Sequence, residues 1–330
     1  MPADMSISGI LFEQTIVIFI IIIIGAICYK TKLIDDATNS KLSNILLMLV
    51  NPLLIFMSYQ RELSKDLLGG LLISFLLAIA THIIAISISY IFIRRKRRKI
   101  VIEDGIRIKK YVENEDASVE RLSSSYANMG FFGLPLVYSI FGSEGVFYVT
   151  ASVTVFNILM WTHGVIMMSG SKDLKLKDIL RKLITPTIIA IFLGLIFFIL
   201  QIRLPSVLHQ SLSYVANINT PFAMLIAGVT IGKTNIIKLF TSNLRMYYSV
   251  FLKLILIPLI AVLIYVWLPI DEMVKMVAII MAATPTSTIG TLFTIKYNKN
   301  SVLAAQIFAV TTLLCVFTIP IIFKIAELLM

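Results

Sequence analysis

The sequence predicts an all-α integral membrane protein with ten transmembrane helices, built as two inverted repeats of five helices whose broken helices cross. Three observations support this fold class: the composition, the number of apolar stretches, and prolines that recur at matched positions. Of the 330 residues, 58% are hydrophobic and only 14% are charged, and the mean hydropathy is +0.93. A soluble domain carries about 25% charged residues, and no globule of this size could bury so much apolar surface. A water-soluble enzyme is therefore excluded.

Ten stretches of the chain are long and apolar enough to cross a bilayer, which takes about 20 mostly apolar residues. No basic segment precedes the first stretch and no small-residue cleavage site follows it. We therefore interpret it as a retained span rather than a signal peptide. The ten stretches are residues 9–29, 39–59, 67–93, 121–142, 145–169, 185–203, 210–232, 244–268, 272–295 and 300–328.

Lysine and arginine are distributed unequally between the two sides of the membrane that these spans define. With the N-terminus outside, 23 of the 29 basic residues fall in cytoplasmic segments and five in external ones, and Lys253 lies within a span. Cytoplasmic loops carry such an excess in membrane proteins. We therefore expect a multi-pass protein of the cell membrane with both termini outside and the basic loops in the cytoplasm.

The sharpest basic run, residues 94–99, could indicate a nucleic-acid or a lipid partner. It contains no interleaved aromatic residue and no nucleic-acid-binding motif accompanies it. We expect anionic lipids, and no nucleic acid, at the basic loops.

The chain divides into two halves of five spans, and because five is odd the second half must be inverted relative to the first. The linker between the halves alternates leucine or isoleucine with basic residues, which is typical of a short helix on the cytoplasmic face. The predicted units are a first repeat at 1–169 with a basic loop at 94–120, the linker at 170–184, and a second repeat at 185–330.

Prolines mark corresponding spans of the two halves. Pro52 in the second span has its counterpart in Pro221 of the seventh, and Pro135 in the fourth has its counterpart in Pro285 of the ninth. Pro135 and Pro285 each lie 14 residues after the charged residue that opens their span, so both are expected near the midplane. Paired interrupted helices at that depth are typical of secondary transporters.

The residues around these prolines could bind an anion. A proline lacks a backbone N–H and frees the carbonyl four residues earlier, and two crossing broken helices would aim their positive N-terminal ends at one point. Glycines there allow close approach, and amide and hydroxyl groups can donate hydrogen bonds to carboxylate oxygens. The predicted substrate-binding residues are Asn51, Asn128, Gly130, Gly133, Pro135, His163, Lys253, Thr284, Pro285, Thr286 and Ser287.

No acidic residue lies deep in a predicted span, and the ionisable residues there are Lys253, His82 and His163. Cation exchangers with crossed broken helices need buried carboxylates, so this pattern favours an anionic or neutral substrate. Lys253 is either a countercharge for a carboxylate or a support for the crossing, and each histidine is either functional or structural. Catalytic, metal and nucleotide-binding motifs are absent, so we expect no enzyme and no cofactor. Coupling to Na⁺ or H⁺ stays open.

Three motifs resemble the bacterial members of the auxin efflux carrier family: Asn128 to Pro135 (NMGFFGLP), Leu49 to Phe56 (LVNPLLIF) and Ala282 to Thr286 (AATPT). The resemblance implies a 5+5 inverted-repeat fold like that of NhaA and the bile-acid symporters, with a scaffold, a moving transport unit and a homodimer. It also implies transport of organic anions such as malate or malonate. By the same resemblance, Asn128 lies near the substrate and the two prolines lie at the crossing.

The predicted function is thus a secondary carrier of small organic anions, with its site where the fourth and ninth spans cross. Two alternatives remain. A sodium-coupled carrier of bile-acid or bicarbonate type would show Na⁺-dependent uptake, and a non-transporting membrane sensor that uses the basic loop would bind a ligand without flux.

Overall fold

The computed structural model describes residues 7–103, 106–170, 184–233 and 245–330. Apart from one β-hairpin, these residues form helices and the segments that join them. The amphipathic linker predicted at 170–184 lies almost entirely outside the described residues.

The helices of the first half are interrupted by wider turns of π type, in which an N–H bonds to the carbonyl five residues earlier. These turns are Leu46–Val50, Met129–Gly133 and Met160–Gly164. The helices are α1 (Ile7–Lys30), α2 (Asp36–Ile45), α3 (Asn51–Ser58), α4 (Lys65–Phe92), α5 (Ala117–Ser125), α6 (Leu134–Leu159) and α7 (Val165–Ser169).

The second half has one described π turn, Leu252–Leu256. Side-chain caps begin several helices: Thr185, Asp271 and Asn300 each accept a hydrogen bond from a first-turn N–H, as N-cap residues do. The helices are α8 (Pro186–Ile199), α9 (Ser206–Asn217), α10 (Asn219–Gly232), α11 (Met246–Phe251), α12 (Ile257–Tyr265), α13 (Glu272–Ala283), α14 (Thr288–Lys296) and α15 (Ser301–Leu329).

Three π turns end two residues before a proline: Pro52, Pro135 and Pro258. In each turn the residue before the proline donates its N–H to the carbonyl five residues earlier. A proline ring clashes with the carbonyl four residues earlier. The wider turn removes that clash, so these helices pass their prolines without breaking.

Seven helical stretches of the described residues are long and apolar enough to cross a membrane. The ten predicted stretches exceed this number for three reasons. The fourth and fifth lie in one run of 41 residues, Met129–Ser169, which bends at Gly142 with φ +61°. The sixth contains the shorter helix α8, of 14 residues, and the ninth is divided into α13 and α14.

The basic loop at 94–120 contains a β-hairpin, which the all-α prediction did not include. Strand β1 (Lys96–Glu103) pairs antiparallel with β2 (Ile106–Glu113), and Lys96 lies opposite Glu113. In β2 apolar and charged residues alternate from Ile106 to Lys109, whereas β1 has four basic residues followed by three apolar ones. The sequence therefore carries only a short stretch of the alternation typical of strands, and the charge of the loop obscured it.

The helices pack in two groups. Helices α1, α2, α3, α8, α9 and α10 form the first group, and α4 to α7 together with α11 to α15 form the second, with most contacts made within each group. Close packing in the first group depends on glycines: Gly25 and Gly228 bring the backbones of α1 and α10 into direct contact. The group that contains α5, α6, α13 and α14 also contains both interrupted segments described next.

Candidate functional site

Two interrupted helices meet in the second group. After α5 the chain is extended from Tyr126, and after α13 it is extended from Thr284. The two segments pair antiparallel, with Ala127 opposite Thr286. The Asn128 N–H donates to the Pro285 carbonyl (2.7 Å), and the Ser287 N–H donates to the Tyr126 carbonyl (2.9 Å). Each break thus satisfies backbone groups that the other leaves free, which a membrane interior requires.

The structure corrects the position of the first break. Pro285 lies within its extended segment as predicted, but Pro135 lies in the first turn of α6, seven residues after Asn128. The π turn Met129–Gly133 accommodates Pro135, and the Pro135 carbonyl accepts a hydrogen bond from the Thr220 hydroxyl (3.1 Å). The fourth span breaks where it pairs with the ninth, not where its proline stands.

Gly133 provides close contact between the two spans. A Cβ at this position would lie 2.8 Å from Met281 Sδ and 3.2 Å from Thr284 Cγ2. Gly130 is different, because a Cβ there would meet only Asn51 Nδ2, at 3.8 Å. Packing therefore requires a glycine at position 133, whereas position 130 has space for a side chain.

The threonines of the second break are engaged in the protein itself. The Thr286 hydroxyl donates to the Ser123 carbonyl (2.7 Å), and the Thr284 hydroxyl donates to the Met281 carbonyl (2.9 Å). Both side chains are buried. These contacts stabilise the crossing.

A cavity of about 80 Å³ lies beside the crossing. The beginnings of both helices that follow the breaks contribute to its wall, as do amide and hydroxyl side chains and an apolar remainder. The lining residues are Leu47, Asn51, Ile55, Asn128, Met129, Gly130, Phe131, Leu134, Val153, Phe156, Asn157, Thr187, Ser287, Thr288 and Ile289. Of the predicted site residues, it brings together Asn51, Asn128, Gly130 and Ser287.

The polar groups of the cavity differ in how far they are already bonded. The Asn128 amide side chain forms no hydrogen bond with any residue that the structure describes, although Asn128 is buried. Ser287 Oγ accepts from the Ile289 N–H (3.2 Å) and caps α14. Asn157 donates through Nδ2 to the Val153 carbonyl (2.8 Å). The Asn128 amide and the hydroxyls of Thr187 and Thr288, which also form no hydrogen bond with any described residue, are therefore available to a ligand in this cavity.

Asn51 joins the cavity to the first group of helices. Its Nδ2 donates to the Gly130 carbonyl (3.1 Å), and its Oδ1 accepts from Asn219 Nδ2 (2.5 Å). Asn219 lies two residues before Pro221 in α10, and Asn51 lies one residue before Pro52 in α3. The two amides fix each other's orientation and hold the backbone of the first break.

Lys253 lies outside the cavity lining. Its ammonium group is buried and donates to the Ala282 carbonyl at the C-terminal end of α13 (3.1 Å). A positive charge is favourable at that end of a helix. Of the two interpretations of Lys253, the geometry favours a support for the crossing.

The two histidines also lie outside the cavity lining. His163, in the π turn Met160–Gly164, lies 2.8 Å through Nδ1 from the Tyr126 hydroxyl and 3.4 Å through Nε2 from the Tyr90 hydroxyl. His82 Nδ1 is 2.8 Å from the Ala78 carbonyl, and its ring lies 6.1 Å from that of Tyr126. Both histidines contact Tyr126, the residue at which the first break begins, and neither contacts the cavity itself.

No carboxylate is among the described residues that line the cavity, and no group of three His, Cys, Asp or Glu residues among the described residues could hold a metal ion.

The fold and the cavity define a multi-pass membrane protein with a polar site between interrupted helices. The model of the membrane transport protein family matches residues 10–323. The chain therefore belongs to this family, which is that of the auxin efflux carriers, and the resemblance of its motifs is confirmed.

Similar proteins point to the same class. The chain is 23% identical over 316 residues to an uncharacterized transporter of Methanothermobacter thermautotrophicus (strain Delta H), covering 94% of this chain and 96% of that protein. It is also 23% identical over 215 residues to the uncharacterized transporter YfdV of Escherichia coli (strain K12), covering 62% of this chain and 67% of YfdV. These findings indicate a transporter rather than an enzyme.

Proposed function

We propose that this protein is a secondary carrier of small organic anions, with dicarboxylates such as malate or malonate as substrates. The observation that carries the proposal is the cavity at the crossing. Two helix beginnings and the unbonded Asn128 amide face it, and no carboxylate is among its described lining residues.

The helix beginnings favour negative charge. The first N–H groups of a helix have no acceptor within it, and the helix dipole places about half a positive charge there. One such end is at Met129 and Gly130, and the other is at Thr288 and Ile289. A dicarboxylate offers one carboxylate to each helix beginning, so each partial positive charge of the protein faces one full negative charge of the substrate.

Side chains supply the remaining hydrogen bonds. Asn128 donates to one carboxylate, and the Ser287 hydroxyl, whose oxygen already accepts from Ile289, donates its proton to the other. Hydrogen bonds to charged groups contribute about 1.5–3 kcal/mol each. The apolar wall, which includes Val153 and Phe156, excludes water and strengthens these contacts.

We propose that the carrier has ten spans as a 5+5 inverted repeat, with repeats at 1–169 and 185–330, both termini outside and the basic loops in the cytoplasm. The seven apolar stretches, the short helix α8, the bend at Gly142 and the divided ninth span together account for ten crossings. Two breaks that pair antiparallel, one in each half, support the inversion.

The position of the cavity suggests how access alternates. Four lining residues come from the first group of helices, namely Leu47, Asn51, Ile55 and Thr187. The remaining lining residues come from the second group. We propose that the second group moves against the first and takes the substrate with it. This movement breaks the bond from Asn51 to Gly130 and the bond between the Tyr59 and Thr150 hydroxyls (2.8 Å).

Flux into proteoliposomes tests the proposal. The wild-type protein is expected to take up labelled malonate, and unlabelled malate is expected to compete while a neutral diamide of the same length does not. Asn128→Ala should lose most of this flux. Asn39→Ala is the matched control, because Asn39 is a buried amide that contacts Thr230 (3.4 Å) and lies outside the cavity lining. Uptake that is unchanged in Asn128→Ala, or equal competition by the diamide, contradicts the proposal.

A further inference from the structure

A second cavity, of about 670 Å³, lies at the base of the β-hairpin. The end of α4, the strands of the hairpin, α5 and the beginning of α11 enclose it. The lining residues are Phe92, Ile93, Arg94, Lys96, Tyr111, Glu120, Arg245 and Tyr248. It shares none of them with the cavity at the crossing.

The charges of this cavity are not balanced. The Glu120 carboxylate is held by Arg245 through two contacts, of 2.7 and 2.9 Å, and accepts a further hydrogen bond from Asn114 (3.2 Å). Arg94 and Lys96 form no ion pair with any residue that the structure describes. The described lining therefore carries an excess of two positive charges, from Arg94 and Lys96, and this excess favours the binding of an anion.

The surroundings of the cavity favour a lipid over a soluble anion. Tyr248 lines it from α11 and is 44% exposed, and Phe251, one turn further along α11 on the same face, is 50% exposed. Tyrosine is typical of the boundary between headgroups and hydrocarbon, and an exposed apolar face beyond it contacts acyl chains. The basic cavity thus continues directly into an apolar, lipid-facing surface.

We propose that this cavity binds the headgroup of an anionic phospholipid, with the phosphate on Arg94 and Lys96 and an acyl chain along Phe251. The same cavity contains the ion pair of Glu120 and Arg245, which joins α5 to α11. A lipid bound here stabilises the contact between these helices, one of which leads into the first break of the crossing.

The test compares two double variants of the full-length protein in detergent. Arg94→Gln with Lys96→Gln removes the two unpaired charges of the cavity. Arg95→Gln with Lys299→Gln removes the same charge but affects a different cavity, which both of those residues line. Binding of phosphatidylglycerol, phosphatidylcholine and inorganic phosphate is measured by native mass spectrometry and by the shift in thermal unfolding.

For the wild type and the Arg95/Lys299 variant, phosphatidylglycerol is expected to bind and to raise the unfolding temperature more than phosphatidylcholine or inorganic phosphate does. The Arg94/Lys96 variant should bind phosphatidylglycerol about thirty-fold more weakly. Its unfolding temperature without lipid should match that of the control variant, which excludes misfolding. Equal losses in the two variants, equal binding of phosphatidylcholine, or an equal shift with inorganic phosphate would overturn the proposal.

Discussion

The two interrupted segments at the crossing have the same backbone arrangement but use their side chains differently. In the first, Asn128 has an unbonded amide and Gly130 leaves open space, so this segment offers groups to a ligand. In the second, the hydroxyls of Thr284 and Thr286 are bonded to backbone carbonyls, and Lys253 holds the carbonyl of Ala282. In the proposed carrier the first break therefore chiefly binds the substrate, and the second chiefly supports the crossing.

The largest expected effect concerns the binding segment. Asn128→Ala should weaken malonate binding by about 10- to 100-fold, because a hydrogen bond to a charged group contributes about 1.5–3 kcal/mol. Thermal unfolding without ligand should change little, since the Asn128 side chain loses no bond within the described residues. Ligand titration by thermal shift measures both quantities. If Asn128→Ala and the control Asn39→Ala weaken binding equally, the division of roles is wrong.

The next effect concerns packing between the segments. Gly133→Ala places a Cβ 2.8 Å from Met281 Sδ and should destabilise the protein by about 1–3 kcal/mol, as overpacked cores do. Gly69→Ala is the matched control, because nothing lies within 4 Å of a Cβ at that position of α4. It should stabilise the helix by up to about 1 kcal/mol. Denaturant unfolding measures the free energy of unfolding of both variants. Equal values would show that the two spans do not approach closely at Gly133.

A smaller effect is expected in the supporting segment. Thr286→Val keeps the side-chain shape but removes the hydrogen bond to the Ser123 carbonyl, which should cost about 1 kcal/mol of stability. Malonate affinity of the folded protein should stay within about twofold, because Thr286 is outside the cavity lining. The opposite result, weaker binding with unchanged unfolding, would place the Thr286 hydroxyl on the substrate.

The smallest effect is expected at Gly130. A Cβ there has an ordinary contact of 3.8 Å with Asn51 Nδ2, so Gly130→Ala should change stability by less than about 0.5 kcal/mol. Because Gly130 lines the cavity, the added methyl group should weaken malate binding more than binding of the smaller malonate. Competition between the two substrates in a flux assay measures this ratio, and an unchanged ratio would mean that the substrate does not reach Gly130.

Much of the fold could be predicted from composition and local pattern. Most of each apolar stretch is helical where the structure describes it, apart from the breaks after α5 and α13, and the motifs at Asn128 and Pro285 lie at the crossing. The site is less accessible to such reasoning, because its geometry depends on contacts between distant parts of the chain. The break at Tyr126 exists because residues 126–128 pair with residues 285–287. Residues 126–128 contain no proline or glycine from which the break could be predicted.

Two further differences have local causes that could be recognised in other sequences. Pro135 does not break its helix, because a π turn precedes it, as π turns also precede Pro52 and Pro258. The hairpin at 96–113 has the alternating pattern of strands only at the beginning of β2, and the charge of the loop dominated its interpretation. The choice between the two predicted roles of Lys253 could not be made from the sequence, because its partner carbonyl, that of Ala282, lies 29 residues away along the chain.

The proposed anion site at the crossing is tested by measuring how far a series of ligands stabilises the purified protein. The wild-type protein is titrated with malonate, acetate and malonamide, and the unfolding midpoint is followed. Malonate at about 100 times its dissociation constant should stabilise the folded state by roughly 2.7 kcal/mol. Acetate should bind more weakly, malonamide should have no effect, and Asn128→Ala should lose most of the response to malonate. Equal stabilisation by malonamide, or a full malonate response in Asn128→Ala, would contradict an anion site at the crossing.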